Sequence, residues 1–122
     1  MLKLAEMGKK EINVVSDQIG SVTYTYDLSK LLCDMIETEK YGVYHATNEG
    51  FISWADFANE IFKISKKNVK VNSITTKEYL ELNPQQAKRP LNSRMSKKSL
   101  DEAGFNRLPD WKNALSRFLK EI

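Results

Sequence analysis

Apolar residues recur at helical spacing in three stretches of the chain. Over residues 24–37 they fall at i, i+3, i+4, i+7 and i+8, which predicts a helix with one buried face. A second helix is predicted to begin after Ser53, and a third begins near Asp110 with the most regular apolar stripe. The apolar positions are Leu28, Leu31, Leu32, Met35 and Ile36, then Trp54, Phe57, Ala58, Ile61 and Phe62, then Trp111, Ala114, Leu115, Phe118, Leu119 and Ile122.

Shorter patterns predict the remaining elements. Strands are predicted at residues 11–16, 42–48 and 68–74, where β-branched and aromatic residues are bounded by turn residues. Short helices are predicted to end at Gly8, to cover residues 77–82 and to end at Gly104. About three short strands and about five helices, mixed in order, indicate an α+β fold in which residues 1–122 form a single domain.

Several side chains receive a local interpretation. Thr23 or Thr25 is expected to cap the first long helix, and Asp27 to complement its positive start. Cys33 and the aromatic residues of the second helix, including Trp54, are interpreted as core.

Composition narrows the possible functions. The 122 residues are 41% hydrophobic and 29% charged, which is typical of a globular chain. No apolar run approaches the ~20 residues of a membrane span, so we expect a cytoplasmic protein that binds no membrane. With one cysteine and one histidine, Cys33 and His45, the chain offers neither an intrachain disulfide nor a Cys/His zinc site.

Charge leaves two interpretations open. The formal net charge is +3, and a basic cluster lies near the centre of the second half. Such a cluster can meet phosphate, but it is more often a solvated face. Nucleic-acid binding ranks last, because no aromatic residues are interleaved with the cluster. Its members are Lys88, Arg89, Arg94, Lys97 and Lys98.

Catalytic motifs are absent from the sequence. The five glycines are isolated, so there is no G-x-G-x-x-G or P-loop, and no G-x-S-x-G is present. From the residues alone, a binding or interaction domain is the furthest conclusion.

Three segments in order add to this picture. They read VVSDQIGSVTYTYDL at residues 14–28, GVYHATNEG at 42–50, and KRPLNSRMS at 88–96. Ser53-Trp54 and Phe57-Ala58 follow the second segment, and Leu100 and Gly104-Phe105 follow the third. Together they resemble the C-terminal half of the dTDP-4-dehydrorhamnose reductases, which are extended short-chain dehydrogenases/reductases. Where that family has proline, this chain has Val22.

The resemblance implies an NAD(P)H-dependent oxidoreductase of dTDP-rhamnose biosynthesis, which reduces dTDP-4-keto-6-deoxy-L-mannose to dTDP-L-rhamnose. This chain would be its C-terminal nucleotide-sugar-binding domain. The N-terminal Rossmann domain, which carries NADPH or NADH and the Tyr-x-x-x-Lys pair, would be absent. The fragment would then bind no cofactor or metal, contain no catalytic residue and be inactive alone. Tyr26 and Lys30 have the Tyr-x-x-x-Lys spacing, which we interpret as coincidence.

The resemblance also implies a substrate site. Arg89, stiffened by Pro90, is predicted to bind the diphosphate, because guanidinium can bond two phosphate oxygens at once. Lys88 could add charge and Asn92 could reach the ribose or sugar, while Arg94 is expected to be exposed or paired. The loop of Gln18, Gly20 and Ser21 is predicted to face the same cleft, with turn formation as the alternative role.

Two further expectations concern partners. A cut fold exposes apolar surface, so a homo-oligomer is predicted, in addition to the N-terminal Rossmann half as partner. The alternative function is a non-catalytic regulatory or interaction module of the same family.

Overall fold

The computed structural model describes residues 1–122 and contains six helices and six strands, which confirms the α+β class. The chain folds as two compact units, Met1–Gly20 with Ile52–Ser93, and Ser21–Phe51 with Arg94–Ile122. The first unit contains α1 (Leu2–Glu6), β1 (Glu11–Val15), β2 (Ile19–Gly20), β4 (Ile52–Ser53), α3 (Trp54–Ile64), β5 (Lys70–Ile74) and α4 (Thr76–Leu82). The second contains α2 (Thr25–Ile36), β3 (Asn48–Glu49), α5 (Lys98–Ala103), β6 (Leu108–Asp110) and α6 (Trp111–Glu121).

A two-stranded parallel sheet organises the first unit. β1 and β5 pair in register from Glu11 opposite Lys70 to Val15 opposite Ile74. Helix α3 lies against both strands and buries the small and apolar residues of one face. Because both strands run in the same direction, the loop after β1 and the start of α4 after β5 lie at the same edge of the sheet.

Side-chain caps fix the starts of α3 and α4, and the sequence predicts the start of α3 after Ser53. The Ser53 hydroxyl accepts from the Asp56 backbone N–H at 3.0 Å and donates to the Asp56 carboxylate at 2.7 Å. Thr75 and Glu78 form a capping box, in which the Glu78 carboxylate accepts from the Thr75 N–H at 2.7 Å. Each cap satisfies backbone donors that the helix leaves unpaired.

The second unit packs around α2, α5 and β6. Leu31, Leu100 and Leu108 form a buried cluster against which Met35, Tyr44, Ala46 and Phe105 pack. The start of α6 is also buried, and the Asp110 carboxylate caps it by accepting from the Lys112 N–H at 2.8 Å. β3 and β6 form a short parallel pair.

The strand predicted at residues 42–48 is wrong, because only Asn48–Glu49 is extended and paired. Tyr41 and Val43 are more than 80% exposed, whereas Asn48 is fully buried and its side chain accepts from the Tyr24 N–H at 2.7 Å. The prediction that Thr23 or Thr25 caps α2 is therefore also wrong. The amide of a distant residue bonds the start of the helix, and the N-cap residue Tyr24 makes no side-chain cap.

The buried face of α2 is narrower than its apolar stripe. Leu31 is 3% exposed, but Leu32 and Ile36 are 50% and 81% exposed. Cys33 is exposed as well, so its interpretation as core is wrong. Asp27, on the other hand, is 5% exposed, because it pairs with residues of other elements.

Candidate functional site

A pocket of about 180 Å³ lies in the first unit, next to the carboxyl ends of β1 and β5. Val15 is the last residue of β1, and the first residue of α4, Thr76, comes two positions after the last residue of β5. Ligands of open parallel sheets bind outside the carboxyl ends of the strands, so this is the expected edge. The pocket is lined by Val15, Gln18, Trp54, Thr76, Tyr79, Leu80, Gln86, Ala87 and Arg89.

Backbone hydrogen bonds bring the two predicted binding segments together. The Ile19 N–H donates to the Leu91 carbonyl at 2.8 Å, and the Ser93 N–H donates to the Ile19 carbonyl at 2.8 Å. Residues 91–93 therefore run parallel to the chain at Ile19 and pair with it through one isolated β-bridge, Ile19 with Asn92. This pairing explains how Arg89 and Gln18, far apart in sequence, come to line one pocket.

Asp17 anchors this loop to the start of α4. Its carboxylate accepts from the Thr76 backbone N–H at 2.9 and 3.0 Å and from the Thr76 hydroxyl at 2.7 Å. These hydrogen bonds, the hydroxyl first and then the N–H, hold the pKa of Asp17 below its usual value, although burial opposes them. Asp17 is therefore ionised at neutral pH and can only accept hydrogen bonds.

Gln18 is bound to the same threonine. Its Nε2 amide donates to the Thr76 hydroxyl oxygen at 3.1 Å. Thr76 is 6% exposed and is the first residue of α4. The hydrogen bond therefore anchors the Gln18 side chain to the start of this helix.

Arg89 is exposed, and no ion pair or side-chain hydrogen bond within the chain engages its guanidinium. Arg107 and Arg117 differ from it, because each is bonded to an aspartate, Asp101 and Asp27 respectively. A guanidinium without a carboxylate partner keeps its donors for a ligand, and its planar geometry fits two phosphate oxygens.

The other predicted binding residues are placed as follows. Lys88 is exposed and does not line the pocket. Asn92 forms the bridge with Ile19, and Gly20 lies in β2, where an added Cβ would meet the Ser93 Cβ at 3.4 Å. Ser21 belongs to the second unit, where its hydroxyl donates to the Gly50 carbonyl at 2.9 Å. That contact fits the turn role left open for Ser21.

Sequence reasoning missed part of the pocket lining. Trp54 was expected in the core but is 46% exposed, with its ring 6.2 Å from that of Phe57 in an edge-to-face contact. Its helical spacing is the same as that of the buried Ala58 and Ile61, so the apolar pattern could not separate a pocket wall from the core. Thr76 was missed as well, because nothing in its position along the sequence indicates a hydrogen bond to Gln18.

The basic cluster is not one surface. Lys97 is 4% exposed, and its ammonium lies 3.4 Å from the Glu49 carboxylate in the second unit. Arg94, in the same unit, has its guanidinium 5.7 Å from the Phe51 ring centre. The alternatives of a solvated face or a phosphate-binding run are therefore both wrong for Lys97, because a buried ammonium needs its own carboxylate.

A larger open cavity of about 500 Å³ lies in the second unit, but its arginines are already paired. Arg117 donates to Asp27 at 2.6 Å, and Arg107 bonds both Asp101 and Glu49. Lys30 lies 4.6 Å from the Tyr26 ring centre, which is a cation–π contact. The pocket that contains Arg89 is therefore the better candidate for an anionic ligand.

Two classes of site receive no support from the structure. No group of three or more His, Cys, Asp or Glu side chains is placed to hold a metal ion. None of the helices has the length and apolar character that crossing a membrane would require.

The structure is a small α+β fold with a pocket and an unpaired arginine at the carboxyl edge of a parallel sheet. The family model for the RmlD substrate binding domain matches residues 1–122, and the chain belongs to this family.

Curated relatives agree with this assignment. Spore coat polysaccharide biosynthesis protein SpsK of Bacillus subtilis is 42% identical over 99% of this chain and 40% of its own length. The dTDP-4-dehydrorhamnose reductase of Aggregatibacter actinomycetemcomitans is 39% identical over 94% of this chain and 42% of its own length. The chain thus spans about two fifths of the length of these relatives.

Solved structures show the same fold. The dTDP-4-dehydrorhamnose reductase of Bacillus anthracis, in complex with NADP, matches with a TM-score of 0.88 and 38% identity over 98% of this chain and 40% of that one. The reductase of Clostridium acetobutylicum matches with a TM-score of 0.89 and 34% identity over 98% and 41%.

Proposed function

We propose that this chain is the nucleotide-sugar-binding part of a dTDP-4-dehydrorhamnose reductase-like oxidoreductase. In the complete enzyme, NAD(P)H would reduce dTDP-4-keto-6-deoxy-L-mannose to dTDP-L-rhamnose. The observation that carries the proposal is the pocket shared by Gln18 and Arg89, in a chain of the RmlD substrate binding domain family.

Arg89 would bind the diphosphate. Its donors are not used within the chain, and Pro90 fixes one backbone angle directly after it. The pocket wall next to it is apolar and aromatic, with Trp54, Tyr79 and Leu80. A few polar groups on such a wall are typical of small-molecule sites. Lys88 and Asn92 remain candidates for added charge and for contacts with the ribose or sugar.

A nicotinamide cofactor does not fit the residues of this chain. Dinucleotide sites need a glycine-rich turn directly after a strand, so that the backbone can approach the pyrophosphate. Here β1 is followed by Ser16-Asp17-Gln18, and β5 by Thr75-Thr76. NADP, which the Bacillus anthracis reductase binds, belongs to the proposal for the complete enzyme.

Calorimetry with dTDP tests the binding proposal on this chain. Removing a charge-assisted hydrogen-bonding partner costs about 1.5–3 kcal/mol, so Arg89→Ala should weaken dTDP binding about 10-fold to 150-fold. Lys88→Ala is the comparison variant: this neighbouring cation lies outside the pocket, and if it only adds charge, its removal should weaken binding less than about threefold. Arg89→Lys should lie between them, since it keeps the charge and loses the planar fork.

The results distinguish a wrong role for Arg89 from a wrong location of the binding site. Equal losses for Arg89→Ala and Lys88→Ala would indicate general attraction of an anion, against the specific role of Arg89. No binding of dTDP by the unchanged chain would count against the site itself. In a complete enzyme, Arg89→Ala should leave cofactor affinity nearly unchanged.

An exposed apolar surface of the second unit supports the alternative function, a non-catalytic interaction module. Leu32, Ile36, Tyr41 and Val43 of the second unit are all at least half exposed, which is unusual for apolar side chains so close in sequence. A homo-oligomer would use such a surface, and sedimentation over a range of concentrations tests it. A cytoplasmic location stays a prediction that cell fractionation checks.

A further inference from the structure

Three side chains of the first unit form a chain of hydrogen bonds that begins at a carboxylate and ends at the pocket. Asp17 accepts from the Thr76 hydroxyl at 2.7 Å, and the Thr76 hydroxyl oxygen accepts from the Gln18 Nε2 at 3.1 Å. Gln18 and Thr76 line the pocket, whereas Asp17 does not. The Asp17 carboxylate determines which group donates and which accepts in each of these two hydrogen bonds.

An ionised carboxylate can only accept, so the single hydroxyl proton of Thr76 is committed to Asp17. The Thr76 oxygen then has only lone pairs left and must act as an acceptor. The group of Gln18 that faces it must therefore be the donating NH2. Asp17 thus determines, through Thr76, which way the Gln18 amide is turned.

The opposite amide orientation would bring the Gln18 carbonyl oxygen against the Thr76 oxygen, with no proton between them. Such a contact loses a hydrogen bond and leaves two acceptors facing each other. Thr76 is 6% exposed, so water has little access to relieve it. The Gln18 carbonyl oxygen has no hydrogen-bond partner within the chain.

We propose that Asp17 and Thr76 are positioning residues that hold the Gln18 amide so that its carbonyl oxygen accepts a hydrogen bond from the ligand. The donor would be a pyrimidine imide N–H or a hydroxyl of the hexose that is joined to the diphosphate. This inference rests on the proposed function. The two residues then have opposite hydrogen-bonding roles: Arg89 donates to the anionic part of the ligand, and Gln18 accepts from a neutral part.

The test compares three variants of this chain with three probes. Thr76→Val removes the hydroxyl at nearly unchanged volume, Thr76→Ser keeps it, and Gln18→Met removes the amide. The probes are dTDP, N3-methyl-dTDP, which lacks the imide donor, and dTDP-L-rhamnose, which adds sugar hydroxyls. Urea unfolding of each variant shows that binding is compared between folded proteins.

For an imide donor, Thr76→Val and Gln18→Met should weaken dTDP binding about threefold to tenfold and leave N3-methyl-dTDP binding unchanged. For a sugar donor, the same loss should appear with dTDP-L-rhamnose and not with dTDP. Thr76→Ser should bind like the unchanged chain in either case. A role of Thr76 in stability alone would not distinguish between ligands that differ by one donor.

A second measurement needs no ligand. The Gln18 side-chain amide signals in a ¹⁵N NMR spectrum, identified by their loss in Gln18→Met, should shift in Thr76→Val and stay in place in Thr76→Ser. Binding that falls equally for all three probes in Thr76→Val, or amide signals that do not shift, overturns the inference while the proposed function stands. No binding of any probe by the unchanged chain, with the amide signals as expected, overturns the proposed function itself.

Discussion

The Asp27 carboxylate lies 2.6 Å from the Arg117 guanidinium, so the first turn of α2 and the middle of α6 are tied together by an ion pair. Asp27 is 5% exposed, and the Asn48 amide donates to the same carboxylate oxygen at 2.8 Å. The Asn48 amide also donates to the Pro109 carbonyl at 2.9 Å. This network of the second unit holds β3 and β6 next to both helices.

Arg117→Ala should destabilise the chain by about 3 kcal/mol, because it leaves a buried carboxylate without its cation. Lys98→Ala is the control, since the Lys98 and Glu102 side chains are 77% and 62% exposed, and such a pair contributes about 0–1 kcal/mol. Urea unfolding measures both. Equal effects would show that the buried position of Asp27 has no energetic consequence.

Acid should weaken the same network. The Arg117 hydrogen bond, helped by Asn48, holds the pKa of Asp27 below its usual 3.8, although burial opposes it. A carboxyl group with a lower pKa in the folded state contributes stability above pH 3.8, and that contribution is lost as the pH falls through the folded pKa. The loss is about 1.4 kcal/mol per unit of pKa depression.

Asp27→Asn should therefore be less stable than the unchanged chain at neutral pH, and the difference should shrink below pH 3.8. Urea unfolding at several pH values between about 6 and 3 measures this convergence. A constant difference over that range would contradict the lowered pKa of Asp27.

Local sequence signals predicted the helices of this protein better than its site. Ser53 and Asp110 marked two helix starts, because each of these caps depends on residues only two or three positions apart. β3 and β6 have two or three residues, too few for an alternating pattern, so neither was predicted as it occurs. The burial of Asp27 depends on α6, which no local pattern around α2 can report.

The site shows the same limit. Arg89 was singled out by resemblance and by the chemistry of guanidinium, and its position beside Gln18 depends on the pairing of residues 91–93 with the loop after β1. That pairing joins distant parts of the chain and has no local signature. The exposure of Trp54 was missed because a pocket wall and a core helix face have the same apolar spacing.

Gly50 lies against Trp111 in a backbone conformation that disfavours side chains. Its φ is +93°, and an added Cβ would come within 2.6 Å of the Trp111 Cδ1. Gly50→Ala should cost about 1–2 kcal/mol for the left-handed backbone and about 1–3 kcal/mol more for overpacking. Gly8→Ala is the matched control, because Gly8 has a φ of +82° and no atom within 4 Å of an added Cβ. Urea unfolding of the two variants should therefore differ by the overpacking contribution, and equal midpoint shifts would show that Trp111 moves aside without cost.

The two tryptophans should differ in their access to solvent. Trp54 is 46% exposed at the pocket, and Trp111 is 7% exposed at the start of α6. A collisional quencher such as acrylamide reaches exposed indoles, so Trp54→Phe should remove most of the quenchable fluorescence of the folded chain, whereas Trp111→Phe should leave a spectrum that is strongly quenched. If dTDP binds beside Trp54, it should protect the Trp111→Phe protein from acrylamide and leave the quenching of Trp54→Phe unchanged. Protection of the Trp54→Phe protein alone would place the ligand elsewhere, because the Trp111 indole does not line the pocket of Arg89.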